Sequence, residues 1–178
     1  MKKKVLWVTV ALMTAIGFGA CSSDDENDNS NLRTNMLQIS NSVKANTRIY
    51  AVPDSKFYID MMPSDKGPGV IFHCDIKESP DIRALVIRMS GVGVKSDLDA
   101  FQVGETFLLN QFNASLVPIE WCGTTPAQFR ATNGTIKLVE KKKSHDKDVL
   151  TFQINNLFFE QGYAVTGAVD FEYEGIVY

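Results

Sequence analysis

The stretch Tyr163-Ala164-Val165-Thr166-Gly167-Ala168-Val169-Asp170-Phe171-Glu172-Tyr173-Glu174 alternates along its whole length. Tyr163, Val165, Gly167, Val169, Phe171 and Tyr173 share one phase, and Ala164, Thr166, Ala168, Asp170, Glu172 and Glu174 share the other. Successive side chains of a strand point to opposite faces, so period two predicts a long half-buried strand with an acidic outer face.

The same period recurs upstream. Ile136 and Leu138 alternate with Thr135 and Lys137 in Gly134–Glu140, and Leu150, Phe152 and Ile154 alternate with Thr151 and Gln153 in Val149–Ile154. The run Lys141-Lys142-Lys143-Ser144-His145-Asp146-Lys147 between them reads as a hairpin tip. Further strands are expected at Arg48–Val52, Lys56–Met62, Val70–Ile76, Ala84–Met89, Thr106–Asn110 and Ser115–Trp121. Pro53-Asp54-Ser55, Pro63–Gly69, Ser79-Pro80-Asp81 and Asn133-Gly134 supply turn chemistry between strands. Residues 35–46 hold either a first strand or irregular chain. Ser96 is positioned to cap one short helical turn through Phe101, with Asp99 in the capping-box position. Many short strands with little helix predict an all-β domain. The expected architecture is an antiparallel β-sandwich of about 8–10 strands with at most one short helix, and a closed lipocalin-like barrel is the alternative.

Ahead of this domain the composition changes twice. Lys2, Lys3 and Lys4 precede an uncharged apolar stretch, Val5–Ala20, which ends Phe18-Gly19-Ala20 before Cys21. A basic start, a short apolar middle and small residues before a cut site make an export signal, and the stretch is short of the roughly 20 apolar residues a spanning helix needs. Phe18-Gly19-Ala20-Cys21 resembles the bacterial lipobox, although a smaller aliphatic residue is usual where Phe18 stands. The resemblance implies lipidation of Cys21. Ser22, Ser23, Asp24, Asp25 and Glu26 follow, and this acidic run resembles the surface-export signal of Bacteroidetes-type lipoproteins. It implies an outer-membrane, lipid-anchored, surface-exposed protein, with the periplasmic face as the alternative. The organisation expected is a signal peptide at 1–20, a lipidated cysteine and flexible acidic linker at 21–35, and one β domain at 36–178. The linker is rich in Ser, Asp and Asn and has too few apolar groups to offset its ordering entropy. Extended, it reaches at most about 45–50 Å.

The chain carries a net charge of −3, and residues 1–20 contain three lysines and no acid, so the remainder is more acidic still. Such a balance argues against tracking nucleic-acid phosphates. The domain is long enough to bury a core without staples. Besides Cys21 there are Cys74 and Cys122, which either form a disulfide or remain two free thiols; Cys74 falls on an apolar strand phase, and free thiols are the expectation.

Searches for catalytic motifs return nothing: no Gly-x-Ser-x-Gly, His-Glu-x-x-His, Cys-x-x-Cys or phosphate-binding glycine loop occurs. Gly91-Val92-Gly93 reads as a turn or bulge. His73 and Cys74, as strand neighbours, face opposite ways. His73 and Asp75 share a face but sit about 7 Å apart along a strand, which places them out of direct hydrogen-bond reach. His145 belongs to the lysine-rich tip. Asp97-Leu98-Asp99 resembles the start of a calcium loop without its glycine and distal glutamate, so no metal is expected. Asp170, Glu172 and Glu174 have a spacing that an inverting glycosidase uses, yet alternating acids on an outer strand face are ordinarily solvated. The Lys141–Lys143 run with Lys147 is a local positive spot that also discourages edge pairing. Trp121, Tyr50, Tyr58 and Tyr163 could supply stacking rings, although Trp121 keeps the apolar phase of Ile119 and so suits a core. No cofactor is implied. The expected function is a non-catalytic cell-surface binding or assembly module for a glycan or an outer-membrane protein partner. The alternatives are a barrel carrier of a small apolar ligand and a carboxylate-dependent glycosidase.

Overall fold

In a computed structural model of the chain, the described residues are 33–61, 68–90, 98, 101–119 and 128–177. They form β1 (Met36–Asn41), β2 (Asn46–Ala51), β3 (Lys56–Asp60), β4 (Gly69–Asp75), β5 (Ile82–Ser90), β6 (Thr106–Leu108), β7 (Asn113–Pro118), β8 (Phe129–Ser144), β9 (Lys147–Phe159) and β10 (Tyr163–Val177). A 3-10 turn at Glu160–Gly162 joins β9 to β10, and the described residues contain no α-helix. The protein is all-β, as the alternation predicts. The expected helical turn falls on residues of which only Leu98 and Phe101 are described.

The sandwich expectation is corrected by the pairing. Hydrogen-bonded neighbours run β10–β3–β4–β5–β7–β8–β9 and return to β10, closing a barrel of seven strands. Two packed sheets would each keep open edges, whereas one continuous ladder removes them within the ring. The expectation of uniformly antiparallel pairing also fails at one place, because β3 runs parallel to β10. Strands β8, β9 and β10 are the long staves, with 16, 13 and 15 residues. Their length lets two strands share one edge: β1 and β3 follow each other along β10, and β7 and β6 along β8. The hairpin β1–β2 therefore extends the wall beyond the ring, with β2 at its free edge.

The predicted tip 141–147 is corrected too. β8 continues to Ser144 and β9 starts at Lys147, so the turn is His145-Asp146 alone, at φ 50° and 63°. Two left-handed residues match the twist of paired strands, and this lets the lysines stay in the ladder.

Closure needs bent staves, and irregular register supplies the bends. The β8–β9 ladder shifts register between Ala131 and Asn133, Asn133 and Thr135, and Leu138 and Glu140. Gly134 sits in this region at φ +121°, where a Cβ would lie 2.5 Å from the Asn156 carbonyl oxygen. At Gly167, where β9–β10 register also shifts, an added Cβ would collide with the Met36 carbonyl of β1.

The core is the barrel interior. Phe72 of β4 meets Phe152 of β9, across the ring, with centroids 5.0 Å apart, and Phe171 of β10 at 5.2 Å, both edge-on. Phe57 lies 5.6 Å from Phe72, and Phe101 and Phe107 lie 6.5 and 6.2 Å from Phe152. Such separations are those of rings in contact, so this part of the interior is filled by side chains. Truncating Phe72 should leave a cavity that rigid strands cannot collapse. Phe72→Ala is expected to cost about 3–5 kcal/mol, read as a lower urea midpoint with an unchanged slope.

Candidate functional site

Cys21, Ser22, Ser23, Asp24, Asp25, Glu26, Trp121 and Cys122 lie outside the described residues. So do Gly91, Val92, Gly93, Asp97 and Asp99. The described candidates are dispersed. Tyr50 on β2 is half-buried and leans on the core, and Tyr58 is half-buried on β3, a strand that does not adjoin β2. Tyr163 is buried and stacked on Phe129, with centroids 5.4 Å apart and ring planes 14° from parallel. The three tyrosines therefore do not form one exposed platform.

His73 and Asp75 differ from expectation: His73 Nε2 lies 3.0 Å from Asp75 Oδ1. Both side chains lean along the strand at an exposed position, which shortens the distance that backbone spacing sets. Cys74, between them in sequence, points the other way into the core and is a free thiol. Burial pushes it up from 9.0 to about 12, well above the range of a nucleophile at neutral pH.

The outer face of β8, β9, β10 and β3 near the His145-Asp146 turn is an ion-pair network. Lys142 reaches Asp170 at 3.2 Å and Glu140 at 2.9 Å, and Thr151 donates to Asp170 at 2.6 Å. Lys147 lies 2.6 Å from Glu172 and 3.4 Å from Glu174, while Lys56 approaches Glu174 at 3.2 Å. A cavity of about 250 Å³ opens here, lined in part by Asn35, Lys56, Lys142, Asp170 and Glu172. The Glu174 carboxyl is held below the usual range by the hydrogen bond from Lys56 and by the charge of Lys147. A glycosidase acid needs the opposite shift, so this surface lacks the asymmetry that acid–base catalysis uses at Glu174. Among the described residues the buried carboxylate is Asp60, which faces Arg88 at 2.7 Å. Among the described residues no group of three His, Cys, Asp or Glu side chains is arranged to hold a metal ion.

Toward the opposite end of the same staves the outer face changes character. A cavity of about 340 Å³ lies between the β1–β2 turn and the β9–β10 turn, and every residue lining it is uncharged. Ser40, Ser42, Thr47, Ala164 and the exposed ring of Phe158 contribute to it. The turn is tied down locally: Asn41 Oδ1 accepts from the backbone of Val43 and Lys44, and Ser42 Oγ donates to the Gly162 carbonyl. Sequence inspection singled out none of Ser40, Thr47 and Phe158. The available signal was the outer phase of β10, which is neutral through Ala164, Thr166 and Ala168 before turning acidic at Asp170.

Searches of protein-family models, of curated proteins and of solved structures gave no match to this chain.

The buried thiol sets a pH dependence. Its pKa is higher folded than unfolded, so its stabilising contribution is complete below pH 9 and declines as pH rises toward 12. Wild type should lose its advantage over Cys74→Ala by at most about 1.4 kcal/mol per pH unit in that window, measured by urea unfolding of both proteins at pH 8, 9 and 10.

Proposed function

We propose that this chain is a non-catalytic, lipid-anchored surface protein whose β-barrel presents a binding face. The observation that carries the reading is the division of labour across the barrel wall. The inner phase of the staves is taken up by packed rings, and the outer phase holds a neutral open groove beside an ion-paired region. Filled space around Phe72 and Phe152 speaks against a carrier that needs an open apolar interior. Lysine-paired carboxylates speak against hydrolysis. The exterior is what remains for recognition.

The anchor rests on the resemblance of Phe18-Gly19-Ala20-Cys21 to a lipobox, and display on the acidic run Asp24-Asp25-Glu26. A tethered domain meets other molecules of the same surface at raised effective concentration, so weak contacts suffice for assembly. A single lipid chain holds a protein only marginally, and stable anchoring takes more than one acyl chain, as lipid-modified cysteines provide.

Three measurements test this reading. Cys21→Ala should shift the protein from the membrane to the soluble fraction, and continued membrane retention would refute the anchor. Protease added to intact cells should remove the wild-type domain, and capture from such cells with the lipidated chain should recover a glycan or protein partner.

A further inference from the structure

The lateral register of the sheet puts two neutral rows side by side. Thr47 of β2 stands opposite Ser40 of β1, Ser40 opposite Ala164 of β10, and Ala164 opposite Phe158 of β9. One step along, Ile49 stands opposite Gln38, and Gln38 opposite Thr166, whose hydroxyl donates to Asn156 Oδ1 at 3.0 Å. Residues directly opposite in a ladder share a face, so seven of these side chains line one outer surface, and the hydrogen bond from Thr166 brings Asn156 to it as the eighth, across four strands. Its width is about 14 Å at ordinary strand spacing.

Three properties of this surface are independent of one another. None of the eight side chains is charged, although β9 and β10 carry Lys147, Asp170 and Glu172 further along. The side chains of Gln38, Ser40 and Thr47 hydrogen-bond to no other described residue, so their donors and acceptors are free for a ligand. Phe158 is 47% exposed and Ile49 54% exposed, and the Phe158 ring contacts no other described ring. The uncharged cavity of about 340 Å³ lies at the Phe158–Thr47 row.

From this combination we infer that the outer face of β2, β1, β10 and β9 binds a neutral glycan chain. Such a ligand offers C–H faces to Phe158 and Ile49, and hydroxyls that both donate and accept to Gln38, Ser40, Thr47 and Asn156. An anionic glycan would meet no cation in these rows. A protein partner would need a larger apolar centre than one ring and one isoleucine to exclude water. The inference rests on the binding-face reading above and names the ligand class of that face.

The test uses the mature lipidated chain, purified from membranes in detergent, in native gels that contain amylopectin, galactomannan or xyloglucan, with polygalacturonate as the anionic control. Retardation by at least one neutral polysaccharide and none by polygalacturonate is expected. Phe158→Ala should weaken the retardation at least ten-fold, and so should Gln38→Glu, which leaves the backbone ladder intact. Lys142→Ala, on the ion-paired region, should leave it unchanged. Unaltered urea midpoints would separate lost binding from lost folding in both variants. Retardation by none of the three neutral polymers, retardation by polygalacturonate alone, or retardation indifferent to both variants would overturn the inference. If no neutral polymer retards the lipidated chain while it still captures a protein from intact cells, the neutral-glycan inference falls and the binding-module reading stands.

Discussion

Phe72 on β4 touches Phe152 on β9, and in the ring those strands are separated by two strands one way and three the other. The contact therefore runs across the barrel and not along its wall. A ring of so few staves is narrow enough for one aromatic side chain to meet its opposite, and side chains can fill it. Phe57, Phe101, Phe107 and Phe171 complete the cluster around this pair, at tilted or edge-on angles that suit ring quadrupoles. Long-range pairing such as β3 against β10 costs loop-closure entropy, and burying these rings offsets it.

Filling the inside determines what the outside must do. Because side chains alternate, every inward Phe or Val on β9 and β10 obliges an outward neighbour, and those neighbours are the only part of the staves that can meet another molecule. On β10 they change from Ala164, Thr166 and Ala168 to Asp170, Glu172 and Glu174 at a single point. Lysines from β8, β9 and β3 converge on the acidic half. Exposed pairs of this kind contribute about 0–1 kcal/mol each, so the network's larger effect is on charge: it neutralises the acids locally and leaves little free field at that end of the stave. The neutral half needs no counter-charge, and the side chains of Gln38, Ser40 and Thr47 stay available.

Much of the fold was legible because a half-buried strand writes its orientation into the sequence. β10 was readable from Tyr163 to Glu174, and Ile136, Leu138, Leu150, Phe152 and Ile154 are all buried on the phase that alternation assigns. Closure was not legible, because nothing local distinguishes a strand whose far edge meets a distant partner from one whose edge is free. The parallel pairing of β3 with β10 joins residues far apart in sequence, and only the assembled ladder reveals it. The hairpin tip was misplaced for a different reason: solvated lysines look like loop, yet they are equally at home on the outer face of a strand. His73 and Asp75 were separated by backbone spacing alone, and side-chain lean brought them to 3.0 Å. The neutral face is not legible in the sequence, since its eight residues come from four strands and become neighbours only through register.

The start of the fold shows how that face is supported. Asn35 adopts a left-handed backbone at φ 65° and is held on two sides. Its N–H donates to the Ala168 carbonyl at 2.8 Å, its carbonyl accepts from Val52 at 2.9 Å, and its side-chain oxygen accepts from the Asp170 N–H at 2.8 Å. These bonds fix the entry of β1 against β10 at the point where the outer phase turns from neutral to acidic. One step further, Gly167 lets the β1 backbone approach β10 more closely than any side chain would allow, which holds Gln38 and Ser40 level with Thr166 and Ala164. The alignment of the two neutral rows thus comes from backbone constraints at Asn35 and Gly167, neither of which is one of the eight side chains of that face.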